Sequence, residues 1–178
     1  MRYILFIAMV SLTSVFNMKT IYDFDETSRI NEWQIINDGV MGGVSEGNIH
    51  LNELGNGVFS GLVSTENNGG FSSLRYRFES LKATGLNRLV IRVKGDGKRY
   101  QFRIKDKVEN RHAFISYFKS TGEWQLVELS LSDMYPTFRG RRLEMANFCH
   151  DTIEEVAFLI GNGVNESFQL EIDYIKID

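Results

Sequence analysis

The feature that most constrains the fold of this chain is a two-residue alternation of apolar and polar side chains. In the segment RYQFRIKD the two kinds occupy opposite phases, Tyr100, Phe102 and Ile104 against Gln101, Arg103 and Lys105. Successive side chains of a β-strand point to opposite faces of its sheet. The spacing therefore predicts a strand with one buried and one solvated side.

The same pattern predicts about eleven strands along the chain. They lie at 20–24, 33–36, 48–52, 58–64, 71–79, 88–95, 99–106, 112–118, 124–130, 156–161 and 168–178. No long helix separates them, which indicates an all-β antiparallel two-sheet sandwich or jelly roll rather than a βαβ fold.

Helical structure is expected only as short turns near 131–135 and 142–146. One segment is ambiguous, because Thr152 and Glu155 fit the capping box that begins a helix, whereas the β-branched and aromatic run behind them favours a strand.

The last strand changes phase along its length. Phe168, Leu170, Ile172 and Tyr174 share one face, and Ile175 and Ile177 share the other. This pattern predicts either a β-bulge near Tyr174 or a strand that is covered on both faces.

Length and charge bound the organisation and the partners. We expect one domain over residues 20–178, since the chain has 178 residues and no linker or repeat after residue 20. The formal net charge of −3 provides no basic excess for a phosphate backbone, so nucleic acid is not expected as a partner. The single cysteine excludes an intrachain disulfide.

The amino-terminal segment has the pattern of an export signal. Arg2 is followed by the uncharged, mostly apolar residues 3–16, too short for a comfortable membrane span, and no A-x-A cleavage site follows. We expect residues 1–17 to be a signal peptide, or an uncleaved anchor that is the only membrane contact. The protein would then be secreted or periplasmic, whereas a start at Met18 would make it cytoplasmic.

The glycine-rich segment DGVMGGVSEG, residues 38–47, has two interpretations. A phosphate-binding glycine loop needs a following helix and a defined spacing, and here a strand follows without either phosphate-loop pattern. The alternative is a rigid loop in which glycines allow close backbone approach, Val40, Met41 and Val44 turn inward, and Asp38 and Ser45 form hydrogen bonds within the loop. We favour the rigid loop.

Five segments together carry a family resemblance. The stretches at 33–47, 58–76, 93–104, 135–143 and 168–175 occur in family order and resemble motifs of the complex I intermediate-associated protein family. The motif positions without an assigned binding role are Trp33, Gly39, Met41, Gly42, Gly43, Gly69, Gly70, Phe71, Gly95, Gly97, Tyr100 and Gly140. The resemblance covers nearly everything from Ile21 to Asp178.

The resemblance implies a galactose-binding-like jelly roll that binds rather than catalyses. It implies a protein partner and an assembly-factor or chaperone-like role, as in members that assist assembly of NADH:ubiquinone oxidoreductase. The alternative is an exported carbohydrate-binding module, because related domains bind sugars. Trp33, Trp124 and Tyr135 are candidates for stacking on a sugar, although Trp33 and Trp124 each begin an apolar run that favours the core.

The polar loop positions of these motifs suggest a binding rim. Its candidate members are Asp38, Ser45, Asn68, Arg75, Asp96, Arg139 and Arg141. The arginines would offer forks for a carboxylate or an acidic partner surface. In the structural alternative, Arg75 pairs with Asp38 or Asp96 and holds the loops together.

No catalytic or cofactor site is expected. The 3 histidines lie in separate segments without a nucleophile motif, and a glycosidase-like carboxylate pair is less favoured than Asp38 and Asp96 capping their turns. Four acids at the chain ends, Asp23, Asp25, Glu171 and Asp173, are by default solvated; the alternative is that they bridge a Ca²⁺ ion.

Overall fold

The computed structural model describes residues 18–178, apart from the side chains of Val40 and Met41. The predicted signal peptide or anchor at residues 1–17 and the predicted inward orientation of Val40 and Met41 therefore lie outside the described residues. Within them, thirteen strands form two sheets in which every pairing is antiparallel. No helix in residues 18–178 is long and apolar enough to cross a membrane.

The first sheet has six strands. They are β1 (Lys19–Asp23), β3 (Glu46–Leu51), β4 (Gly57–Val63), β6 (Arg88–Lys94), β9 (Gln125–Ser130) and β13 (Glu166–Ile177). Their order is β3-β4-β13-β6-β9, and β1 also pairs with β13. The terminal strand β13 is thus the centre of this sheet.

The second sheet has seven strands. They are β2 (Trp33–Asn37), β5 (Ser72–Lys82), β7 (Arg99–Lys105), β8 (Ala113–Lys119), β10 (Tyr135–Phe138), β11 (Arg141–Arg142) and β12 (Thr152–Ile160). Their order is β11-β10-β8-β7-β12-β5-β2. Short 3₁₀ turns occur at Ile30–Glu32, Asp38–Met41, Glu66–Asn68 and Leu131–Asp133.

The inner faces of the two sheets pack together through aromatic and branched side chains. Tyr22 of the first sheet meets Tyr76 of the second edge to face, with 4.7 Å between ring centroids. Within the second sheet, Phe102 and Phe158 have no exposed surface and meet edge to face at 5.1 Å. Trp33, 4% exposed, stacks on Tyr76 at 5.1 Å, which confirms its predicted place in the core. Alternation along each strand leaves the polar phase on the outer faces.

All eleven predicted strands are present. β12 begins at Thr152 and pairs with β5 and β7 on its two sides, so the strand interpretation is confirmed there and the capping-box interpretation is wrong. Ile153 is fully buried in this central strand, and burial between two neighbours outweighs a local capping preference.

Sequence periodicity missed the short strands β10 and β11. The predicted turn near 131–135 is confirmed by the 3₁₀ turn Leu131–Asp133, whereas the turn predicted at 142–146 is wrong. Arg141 and Arg142 instead form a hairpin with β10 around Gly140, which has φ of 75°. Two-residue pairing is too short to produce a recognisable alternation.

The predicted phase change in the last strand is confirmed as a β-bulge. The register between β13 and β6 shifts between Ile172 and Tyr174. As a result Ile172, Ile175 and Ile177 all reach the core without exposed surface.

We expect Phe158→Ala to lower the free energy of unfolding by about 3–5 kcal/mol, because it removes a fully buried ring and leaves a cavity. Leu126→Ala is the matched control, since Leu126 also lies in a strand but is 58% exposed, and its change should stay within about 0.5 kcal/mol. Urea unfolding of the three proteins measures both. Equal losses would contradict the assignment of Phe158 to the shared core.

Candidate functional site

Asp38 is the hub of a loop cluster formed by residues 38–45 and 64–71. Its Oδ1 accepts the backbone N–H of Ser45 at 3.1 Å, and its Oδ2 accepts the Ser45 hydroxyl at 2.5 Å. Oδ2 also accepts the backbone N–H groups of Gly70 at 2.6 Å and Phe71 at 3.3 Å. The carboxylate, 2% exposed, therefore holds two loops together.

Two glycines of this cluster are required for the close approach of Asp38. A Cβ atom on Gly43 would lie 2.3 Å from Asp38 Cγ, and one on Gly69 would lie 2.5 Å from Asp38 Oδ2. Val44 is 51% exposed, so the prediction that it turns inward is wrong. Its strand-side neighbour Ser45 takes the inward place because its hydroxyl bonds Asp38.

Burial alone would raise the pKa of Asp38, but the hydrogen bonds from Ser45, Gly70 and Phe71 outweigh it and lower the pKa below the ordinary value of 3.8. The group is thus a carboxylate at neutral pH. Its oxygens are already occupied by donors of its own loops, which leaves it poorly suited to act as an acid, a base or an exposed contact.

Asp96 plays a similar part in the turn between β6 and β7. It accepts hydrogen bonds from the Tyr100 hydroxyl at 3.1 Å, the backbone N–H of Gln169 at 2.9 Å and the Lys98 ammonium at 2.9 Å. Burial raises its pKa, and the hydrogen bonds from Lys98 and Gln169 offset this to a net lowering. The carboxylate ties the turn to β13.

The structure brings part of the predicted rim together. Asp38, Ser45, Asn68 and Asp96 lie in loops at the end of the sandwich where β13 begins. Thr65 lies at the same end, where its backbone N–H donates a hydrogen bond to Asn165 Oδ1 at 2.8 Å.

The predicted rim arginines lie elsewhere. Arg139 and Arg141 flank the hairpin turn after β10. This turn lies next to the pair Thr137–Ala113, at the start of β8, and therefore at the opposite end of the sandwich. Arg75 lies on the outer side of β5, paired in register with Ala157, and does not contact Asp38 or Asp96.

The four acids proposed as a calcium site pair with other groups of the chain. Asp173 pairs with Arg92, Glu171 with Lys94 at 3.4 Å, and Asp23 with Lys176 at 3.8 Å. Asp25 accepts from Thr27 in its own turn. No group of three or more potential metal-ligating side chains occurs in residues 18–178, and these contacts favour the solvated, ion-paired interpretation.

The outer side of the seven-stranded sheet is basic. Register places Arg75, Ala157, Arg103 and Ile115 in one row across β5, β12, β7 and β8. The adjacent row contains Arg77, Glu155 and Lys105. We call the outer surface formed by these two rows, which runs from β5 across β12 and β7 to β8, the basic face.

A small cleft lies at the centre of the basic face. Its volume is about 60 Å³. The side chains that line it are Arg75, Arg103, Lys105, Arg111, Ala113, Glu155 and Ala157. We call it the basic cleft; it contains one carboxylate among several cations.

The carboxylate of the cleft, Glu155, already forms an ion pair with a neighbouring side chain. Glu155, whose side chain is 5% exposed, accepts from Arg77 Nε at 2.8 Å. Within the described part of the chain, Arg103 forms a hydrogen bond only with Gln101 Oε1, at 3.1 Å, and Arg75 forms neither a hydrogen bond nor an ion pair. Burial, with the nearby charge of Arg75, lowers the pKa of Arg103 to about 10, so it stays cationic at neutral pH.

The aromatic side chains considered for sugar stacking are not free platforms. Trp33 is buried in the core. Trp124 is only partly buried, which corrects its predicted core position, and the Arg92 guanidinium lies 4.6 Å from its ring centre. Arg142 lies 4.6 Å from the ring centre of Tyr135, and Arg99 lies 4.5 Å from that of Tyr117. Each of these partly exposed rings already has a cation on one face.

Sequence reasoning missed Arg103, Lys105 and Glu155 as site residues. The alternation in residues 99–106 assigned Arg103 and Lys105 to a wet face, which was a usable signal. The alternation could not give the strand order: β12 lies between β5 and β7 in the sheet, although it comes last of the three in the chain.

Comparison with known families decides the relationship. The sequence model of the complex I intermediate-associated protein 30 family matches residues 22–172. The chain belongs to this family. The match extends from β1 to β13 and so covers both sheets.

Two curated relatives carry the same family name. The chain is 25% identical to complex I intermediate-associated protein 30, mitochondrial, of Mus musculus, and the match covers 89% of this chain and 56% of that protein. The Drosophila melanogaster protein of the same name is 23% identical, with 89% and 62% covered. The match thus spans less than two thirds of either relative.

A solved structure shares the fold. The family 11 carbohydrate-binding module of a cellulosomal cellulase of Clostridium thermocellum superposes with a TM-score of 0.70 at 17% identity. The superposition covers 92% of this chain and 95% of that module. The chain therefore shares the two-sheet jelly-roll fold of that module, in agreement with the fold that the resemblance implied.

We expect Asp38→Asn to lower the free energy of unfolding at neutral pH by about 1–3 kcal/mol, because charge-assisted hydrogen bonds to buried N–H groups are lost. Since the folded pKa lies below 3.8, the charge stabilises the fold above that value and ceases to do so as the pH falls through the folded pKa. The difference between wild type and variant should therefore shrink in acid.

Urea unfolding at neutral pH and at about pH 3 measures the difference in free energy of unfolding between wild type and Asp38→Asn. Asp133→Asn is the control, since Asp133 is exposed at the other end of the sandwich. A gap between wild type and Asp38→Asn that is the same at both pH values would contradict the ionised hub.

Proposed function

We propose that this chain is a non-catalytic protein-binding module of the assembly-factor type. It uses the basic face of the seven-stranded sheet to hold an acidic surface of its partner. Family membership supports the protein-binding class, because both curated relatives are named as complex I intermediate-associated proteins. Asp38 and Asp96, the carboxylates expected to cap their turns, brace their loops through hydrogen bonds.

The observation that carries the proposal is the charge of the basic face. Arg75, Arg103 and Lys105 converge there, and Glu155, the carboxylate of the cleft, is already bound by Arg77. The chain as a whole has a net charge of −3, so this concentration of cations is local rather than a consequence of composition. Complementary charge selects partners and accelerates their association.

An exported carbohydrate-binding module is the second candidate. The fold likeness to a carbohydrate-binding module favours it, and Tyr117 is 39% exposed on the outer side of β8. Stacking on a sugar requires an open ring face, whereas Arg99 covers one face of Tyr117. The covered rings favour recognition by charge over recognition by stacking.

We expect Arg111→Glu to reduce recovery of the native partner about tenfold, because it reverses one of the charges that line the basic cleft. Arg29→Glu makes the same charge change at a side chain that is 77% exposed in a loop outside the basic face, and it should leave recovery unchanged. Crosslinked affinity capture from native cells, at low and high salt, measures both.

The carbohydrate alternative predicts a different outcome. It is supported if a glycan array gives specific binding that is lost in Tyr117→Ala, while Arg111→Glu captures the same proteins as wild type. That combination would contradict the protein-binding proposal.

A further inference from the structure

Among the long side chains of the basic cleft lie two small ones, Ala113 and Ala157. Ala157 lies on β12 between Arg75 on β5 and Arg103 on β7, in register with both. A methyl group at this position leaves room of about 60 Å³ between two long cationic side chains. Water occupies about 30 Å³ per molecule in the liquid, so the space suits one small polar group.

Two guanidinium groups beside this space lack a carboxylate partner of their own. Arg75 has no hydrogen bond or ion pair within residues 18–178, and Arg103 has only the amide oxygen of Gln101. Burial lowers the pKa of Arg75, and burial together with the charge of Arg75 lowers the pKa of Arg103; the nearby Glu155 carboxylate offsets only part of either shift. Holding two partly desolvated like charges together is unfavourable unless an anion joins them.

The neighbouring row shows which anion the surface accommodates. There the chain supplies its own carboxylate, Glu155, which Arg77 binds at 2.8 Å. In the adjacent row, Glu155 lies between Arg77 and Lys105. In the other row, Arg75 and Arg103 also flank a β12 residue, but that residue is Ala157 and provides no carboxylate. A planar carboxylate is also the group that an arginine fork binds with two parallel hydrogen bonds.

We propose that Arg75 and Arg103 form a carboxylate-binding subsite over Ala157. Its occupant is an Asp or Glu side chain of the protein partner. Naming a protein as the source of the carboxylate rests on the proposed function, whereas binding of the carboxylate itself does not. The subsite gives the basic face a fixed point for one acidic side chain, and the surrounding cations supply long-range attraction.

Isothermal titration calorimetry with a capped oligoglutamate peptide tests the subsite. Arg75→Lys and Arg103→Lys keep the charge but remove the planar fork, so each should weaken binding about tenfold. Arg29→Lys is the matched control, because it makes the same change at a side chain that is 77% exposed outside the basic face, and it should change affinity less than about twofold.

A second variant leaves every charge in place. Ala157→Val fills the floor of the cleft with a residue that strands accept well, so it should reduce oligoglutamate binding while the melting temperature stays near that of wild type. An oligoglutamine peptide should not bind. Equal binding of oligoglutamate by wild type, Arg103→Lys and Ala157→Val would overturn the subsite, as would tighter binding of a phosphoserine peptide.

The two proposals fail separately. If Arg111→Glu abolishes partner capture but oligoglutamate binding does not depend on Arg75 or Arg103, the protein-binding function stands and the carboxylate subsite does not. If oligoglutamate binds as expected but no partner is recovered, the subsite stands and the protein-binding function does not.

Discussion

Burial of the two inner sheet faces against each other is the constraint on which the rest of this structure depends. Because side chains alternate along a strand, placing Phe102 and Phe158 in the core also places Arg103 and Ala157 on the outer side. A slip of one residue in either strand would exchange the two sets, and core packing excludes it. The apolar core therefore determines which charged groups meet on the basic face.

The loops at the end where β13 begins hold this framework together through hydrogen bonds of their own. Asp38 bonds four donor groups from Ser45, Gly70 and Phe71, and Gly43 and Gly69 provide the space that its carboxylate needs. A motif rich in glycine and polar residues is often taken as a binding loop. Here its hydrogen bonds are satisfied internally, which explains the segment as a brace between β2, β4 and β5.

The basic face has the opposite character. Its cations outnumber its one carboxylate, Glu155, and the central pair, Arg75 and Arg103, is partly desolvated with no carboxylate among the described residues hydrogen-bonded to either guanidinium. Such an arrangement costs folding free energy, which a carboxylate bound in the proposed subsite would offset. Shared fold with a carbohydrate-binding module does not determine what is bound, because the chemistry of the outer side chains decides it.

Local alternation in the sequence determined the eleven longer strands, the sandwich architecture and the bulge near Tyr174, since these follow from which residues are apolar and how they are spaced. The glycine motif likewise indicated a rigid loop in which Asp38 and Ser45 form hydrogen bonds. The sequence could not group the arginines: Arg139 and Arg141 were assigned to the same rim as Asp38 but lie at the opposite end of β8. It also missed Glu155 and the role of Ala157. Those decisions belong to the tertiary structure, because strand order and register bring β5, β12 and β7 together from distant parts of the chain, and no local pattern contains that information.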